Sequence, residues 1–170
     1  NKGATLDATT VDVSQFGASF GGQSFAATLK ASTPLSDLRF SATAKGKIDL
    51  GAIKDIYPIE DMALQGIITA DAAVAGKMSD IEKGAYDHIE VSGKLGVEGI
   101  EVEYGKFPTI EVSRAMATLS PSKMALENLD IKVGKSDISA TGNLTNYWGY
   151  ILHDKTLSGR LALNSELLDL

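Results

Sequence analysis

The stretch His88-Ile-Glu-Val-Ser-Gly-Lys-Leu-Gly-Val-Glu98 decides the fold class. Ile89, Val91, Gly93, Leu95 and Val97 recur at every second position, with His88, Glu90, Ser92, Lys94 and Glu98 between them. Successive side chains of an extended strand point to opposite faces, so this period predicts a strand with one apolar and one polar side. The same alternation recurs upstream in Phe25, Ala27, Leu29 and Ala31, in Leu38, Phe40, Ala42 and Ala44, and in Leu64, Gly66, Ile68, Ala70, Ala72 and Val74. Downstream it continues through residues 100–104, 109–119, 124–133, 136–144 and 157–167. Gly21-Gly22 separates two strand patterns and predicts a hairpin turn; no helix start follows it, so a phosphate loop is not expected.

A strand from Leu64 to Lys77 has 14 residues, about 45 Å at roughly 3.3 Å per residue. The alternation also slips phase twice. Ile100, Val102 and Tyr104 are out of step with Ile89 to Val97 across Gly99, and Ile110 and Val112 are out of step with Ala115 to Leu119. Such slips predict β-bulges, which raise the twist and curl a sheet. The expected architecture is therefore all-β: a long, curved antiparallel sheet forming a groove or half-barrel, with two or three short capping helices. One domain over residues 1–170 is expected, because no Pro-rich or Ser-rich linker divides the chain.

Three short segments read as helical. Asp49 is placed to cap residues 50–57, where Ile53, Ile56 and Tyr57 share a face before Pro58. Ser79 and Glu82 form a capping-box pattern. Asn146 precedes an apolar stripe of Tyr147, Trp148, Ile151 and Leu152, which ends at His153. Ile53, Ile56, Tyr57, Trp148, Ile151 and Leu152 are the expected end-cap residues. A weak internal repeat links residues 38–76 with 136–168: Phe40-Ser-Ala-Thr-Ala-Lys-Gly46 and Leu64-Gln-Gly66 are echoed by Ile138-Ser-Ala-Thr-Gly142 and Leu157-Ser-Gly159.

Composition narrows the function. The chain has 22 acidic and 16 basic residues and a formal net charge of −6, so a phosphate backbone would be repelled and nucleic acid is not an expected partner. The absence of cysteine removes disulfides, thiolate catalysis and Cys-ligated metals. No stretch approaches the roughly 20 apolar residues that span a bilayer as a helix. The opening Asn-Lys-Gly lacks an initiator Met and an apolar signal region, which leads to the expectation of a piece of a longer protein whose membrane anchor lies outside it.

Several motifs together carry a family likeness: Ala-Lys-Gly-Lys-Ile-Asp-Leu at 44–50, Tyr57-Pro58, Leu64-Gln-Gly66, a strand closing on Gly76, and Met78-Ser-Asp-Ile-Glu-Lys-Gly-Ala-Tyr86. Val91-Ser-Gly-Lys-Leu95, Val133-Gly-Lys-Ser136 and Thr141-Gly142 continue it. Their order resembles the C-terminal region of AsmA-family proteins, particularly long versions from Bacteroides-like bacteria. The likeness covers Leu38 to Leu170, while the first 37 residues match only in strand pattern. It implies a periplasmic segment of an inner-membrane-anchored protein serving outer-membrane biogenesis, related to bridge-like proteins that carry phospholipid along a β-groove. Such motifs specify architecture rather than chemistry, and no catalytic residue carries over.

Side chains capable of chemistry are few. His88, beside Glu90, reads as a solvated strand residue, and His153 as a helix C-terminal residue favoured by the dipole. Glu98, Glu101 and Glu103, with Glu90 and Glu111, lack the spacing of a glycosidase pair or a Ca²⁺ loop and read as a solvated strand face. No catalytic residue, metal or cofactor is expected. The apolar surface remains, and each methylene buried on it is worth roughly 0.8 kcal/mol. Phe25, Leu29, Phe40, Ile68, Val74, Val91, Leu95, Val97, Ile131, Ile138 and Leu161 are the expected contacts for lipid acyl chains. The other expected partners are neighbouring segments of the same chain. Three alternatives stand beside this: the same residues closing on one another as a sandwich core, a scaffold binding envelope proteins through strand edges, and a carbohydrate-binding sheet using Tyr147, Trp148 and Tyr150.

Overall fold

The computed structural model describes residues 6–52, 62–104 and 108–169. Ile53, Ile56 and Tyr57 lie outside the described residues. Nine strands form one antiparallel sheet in simple sequence order: β1 (Thr10–Phe20), β2 (Gln23–Ser32), β3 (Arg39–Asp49), β4 (Met62–Lys77), β5 (Glu90–Tyr104), β6 (Ile110–Leu119), β7 (Lys123–Val133), β8 (Ser136–Thr145) and β9 (Ser158–Asn164). Each strand pairs with its chain neighbours, and β1 and β9 are the two edges, so the sheet is open. Two short helices, α1 (Met78–Lys83) and α2 (Tyr147–His153), follow β4 and β8, and a further helical segment opens at Leu50. Gly21 and Gly22 make the β1–β2 hairpin turn with φ of 56° and 75°, the left-handed pair that a type I′ turn requires.

Both phase slips are bulges. Gln65 pairs with Glu101 and Ile67 with Glu98, so Gly99 and Ile100 together oppose Gly66. Gly99 takes φ +59°, which suits glycine at a bulge. On β6, Val112 pairs with Ile131 and Arg114 with Asp130, which leaves Ser113 as the extra residue. Two further breaks follow the same logic, between Val13 and Phe16 on β1 and around Glu127–Asn128 on β7. A one-residue slip would turn every later side chain to the wrong face. Each bulge absorbs the slip and returns the apolar set to its own side.

The ends of the strands differ from the expectation in three places. β5 begins at Glu90, and His88 closes a 3₁₀ turn over Tyr86–His88 instead of lying on the strand. Ile89, at the junction, is 1% exposed and is the largest fully buried side chain. The capping box at Ser79 is not formed, because α1 starts at Met78 and its N-cap is Lys77, two residues before Ser79. Asp37, from the β2–β3 loop, instead accepts the Ser79 N–H at 3.0 Å and the Ser79 hydroxyl at 2.8 Å. Asn146 does precede α2, but its side chain donates to the Thr156 carbonyl and caps nothing. Asp49, by contrast, accepts the Ala52 N–H at 3.2 Å as a helix cap should.

Asp37 is one of three aspartates that clasp distant segments. Asp7 accepts the N–H groups of Leu35 and Ser36 and the Ser36 hydroxyl, and Asp137 accepts the N–H groups of Glu166 and Leu167. These donors hold all three carboxyls below the ordinary aspartate range: chiefly the Ser36 backbone for Asp7, the Ser79 backbone for Asp37 and the Glu166 backbone for Asp137. A carboxylate depressed in the folded state contributes stability in full above its unfolded pKa and loses it as pH falls through the folded one. The three clasps should therefore release below about pH 4. Thermal melts from neutral pH downward should show Tm falling in that window. The triple variant D7N/D37N/D137N should melt lower at neutral pH and show a smaller acid loss; an unchanged acid profile would exclude the clasps as its source.

Candidate functional site

Strand register shows which side chains share a face. Phe25 lies across from Gly46, Leu29 from Ala42 and Ala31 from Phe40; Ala42 in turn faces Val74, and Ile48 faces Ile68. Val74 continues to Val91, Ala70 to Leu95, Ile68 to Val97, Leu95 to Ala117 and Val97 to Ala115. The row runs on through Ala115 to Leu129, Ile131 to Ile138, Gly142 to Leu161 and Ala140 to Leu163. Every residue proposed from the sequence as a lipid contact therefore stands on one face of the sheet. Apart from Gln23 and Ser136 beside hairpin turns, the paired positions described on that face are aliphatic, aromatic or glycine. The opposite face carries Thr28, Lys45, Asp71, Lys94, Glu98, Arg114, Asp130 and their polar neighbours.

The open sheet keeps this apolar face continuous across all nine strands. Ala117 and Ala140 on it are buried at 8% and 4%. No second layer covers it among the described residues: only Ile89, Val91, Ala117, Ala140 and Tyr147 are buried apolar residues. Toward the two sheet edges the lining is open, with Phe16 53%, Leu29 42% and Leu161 43% exposed. The alternative of a sealed sandwich core is overturned, because a core of that kind needs a second face packed on the first.

One end of the sheet is bordered by α1, the Tyr86–His88 turn, the 120–122 turn and α2. Tyr147 is 4% exposed; its hydroxyl donates to the Ser120 carbonyl at 2.7 Å, and burial raises its pKa. The Tyr147 and Trp148 rings lie 5.1 Å apart at 34°. Tyr86 Oη meets His153 Nδ1 at 2.6 Å, and Lys155 Nζ sits 5.6 Å from the Tyr86 ring. Of the end-cap set, Trp148 is half-buried, while Ile151 and Leu152 are 62% and 42% exposed. Tyr147 is the buried ring at this end. Tyr150 is 54% exposed, whereas Tyr147 is buried.

Among the described residues the remaining polar groups form no concentrated metal site. His88 Nδ1 lies 3.3 Å from Asp80 Oδ1 at the surface. Glu90, Glu98, Glu103 and Glu111 are exposed, Glu101 accepts from Gln65, and no group of three potential metal ligands occurs among the described residues. A hollow of 330 Å³ on the polar face is lined by Lys47, Asp71, Lys94, Glu98 and Arg114, charges of both signs. No helix among the described residues is long and apolar enough to cross a membrane. Comparison with protein-family models, with curated proteins and with solved structures yields no match.

Proposed function

We propose that this chain is a non-catalytic, lipid-contacting segment of an AsmA-like envelope protein, holding acyl chains along its apolar face in the periplasm and serving outer-membrane biogenesis. One observation carries the reading: nine strands keep an almost wholly apolar face, restored after each bulge, and among the described residues no protein layer packs against it. A soluble protein seldom leaves so large an apolar surface without a function for it. Eight buried methylenes on a ligand are worth about 6 kcal/mol before the cost of ordering the chain, which suits reversible carriage. The polar face keeps the other side in water. Native mass spectrometry of gently purified protein should show an added mass of the size of a phospholipid or fatty acid, and a fluorescent fatty acid should bind and be displaced by phospholipid. Protein that stays free of lipid in both measurements would end this reading.

A further inference from the structure

The glycines inside β3 to β8 differ in what requires them. Gly46, Gly66, Gly93, Gly99 and Gly142 take positive φ, and at Gly76 an added Cβ would stand 3.2 Å from the Phe40 ring. Gly96 has neither constraint: its φ is not positive, and an added Cβ would meet nothing closer than the Thr69 Cβ at 3.7 Å. A glycine inside a strand costs backbone entropy and gives the sheet no side chain to pack. Where the backbone does not demand one, it marks a place that something else approaches.

What Gly96 leaves open is part of the 330 Å³ hollow on the polar face. Thr69 and Met116 flank it on β4 and β6, and Lys94 and Glu98 stand two residues to either side on β5. The volume lies at the lower end for small-molecule sites, roughly 300–1,000 Å³. The charges around it are unequally engaged. Asp71 is held by Lys45 at 3.2 Å, and Lys94 stands 3.9 Å from Glu127. Lys47 and Arg114 also line the hollow, and neither makes an ion pair among the described residues, although Arg114 lies across from Glu98 and Asp130 on its two neighbouring strands. In a chain of net charge −6, two unpaired cations around a floor without a side chain favour an anion. The guanidinium fork matches two oxygens of a phosphate or carboxylate. Glu98, also without an ion pair, is placed to accept from an amine or hydroxyl of the same ligand.

We infer that the Gly96 hollow binds a small organic phosphate or carboxylate that also bears an amino or hydroxyl group. The hollow and the apolar face lie on opposite sides of the sheet, so this stands apart from the lipid reading. O-phosphoethanolamine carries both groups and serves as the probe. Titration calorimetry at low ionic strength should show it binding the wild type. Arg114→Gln and Gly96→Val should each weaken binding by at least about tenfold, the loss expected for one charged hydrogen bond. Lys123→Gln, on the same face but outside the hollow, should change it by no more than about twofold. Gly96→Val should keep the far-UV circular dichroism spectrum and the urea midpoint, because its Cβ has room, so its loss of binding reports the filled hollow and not unfolding. Vesicles of phosphatidylcholine with and without phosphatidylethanolamine identify the source. Sedimentation with the phosphatidylethanolamine vesicles that is lost in Arg114→Gln would make the ligand a lipid headgroup, and binding of the free probe alone would make it a soluble molecule. A wild type that binds neither, or a Gly96→Val variant that binds as well as the wild type, would overturn the inference.

Discussion

Leu95→Asp is expected to reduce binding of a fluorescent fatty acid by at least about tenfold, corresponding to roughly 1.4 kcal/mol. Leu95 is half-buried near the middle of the apolar face, between Ala70 and Ala117 on the neighbouring strands. A leucine there offers contact to several ligand methylenes, each worth roughly 0.8 kcal/mol. A carboxylate offers none and resists being covered, because burying an unpaired charge costs far more than the contact gains. Lys94 is the discriminating control. It is adjacent in sequence but stands on the polar face, opposite Asp71 and Thr118. Lys94→Asp should leave affinity within about twofold, a few tenths of a kcal/mol, as expected for an exposed surface change. Equal losses in both variants would place the ligand elsewhere. Val91→Asp is the less clean probe, because Val91 is only 8% exposed and the substitution would also unfold protein.

Gly93→Ala should destabilise the protein by at least about 3 kcal/mol, seen as a lower urea midpoint with an unchanged slope. Gly93 has φ +125°, a conformation that side-chain-bearing residues rarely adopt. A Cβ there would sit 2.2 Å from the Asp71 carbonyl oxygen and 2.5 Å from the Ala72 Cα. Those are backbone atoms of the paired strand, so relief requires β4 and β5 to part in the middle of the sheet. Gly96, three residues on, has no such constraint: a Cβ would meet the Thr69 Cβ at 3.7 Å and the Ala115 carbonyl oxygen at 3.8 Å. Gly96→Ala should change stability by no more than about 0.5 kcal/mol. If Gly93→Ala is equally silent, the close approach of the two strands at this point is wrong.

The contrast between these glycines is legible only in three dimensions, since both stand in the same alternating strand. Other features were open to sequence reading because they are local. Alternation is a property of the strand itself, so residues as distant as Phe25 and Leu161 could be assigned to an apolar face before any pairing was known. The bulges at Gly99 and Ser113 were likewise announced by a change of phase within a few residues. The hairpin at Gly21-Gly22 needed only the left-handed conformation that glycine permits.

What lay beyond the sequence depended on distant partners. Ser79 with Glu82 looked like its own cap, but the carboxylate that fills the role is Asp37, 42 residues away. Tyr147, Trp148, Ile151 and Leu152 formed one apolar stripe in the sequence, yet of these only Tyr147 is buried, its hydroxyl donating to the distant Ser120 carbonyl. The two strand–helix–strand units also differ in a way their motifs hide. β3 and β8 run in opposite directions, so the helix opening at Leu50 and α2 stand at opposite ends of the strands.

By itself the sequence determined that the protein is a long antiparallel sheet with one oily and one wet side, because strand period and bulge position are written in consecutive residues. Only the tertiary structure decided that all nine strands join in one open sheet and that, among the described residues, no second layer covers its oily side. Pairing and coverage are sums over many strands, and no single stretch of chain contains them.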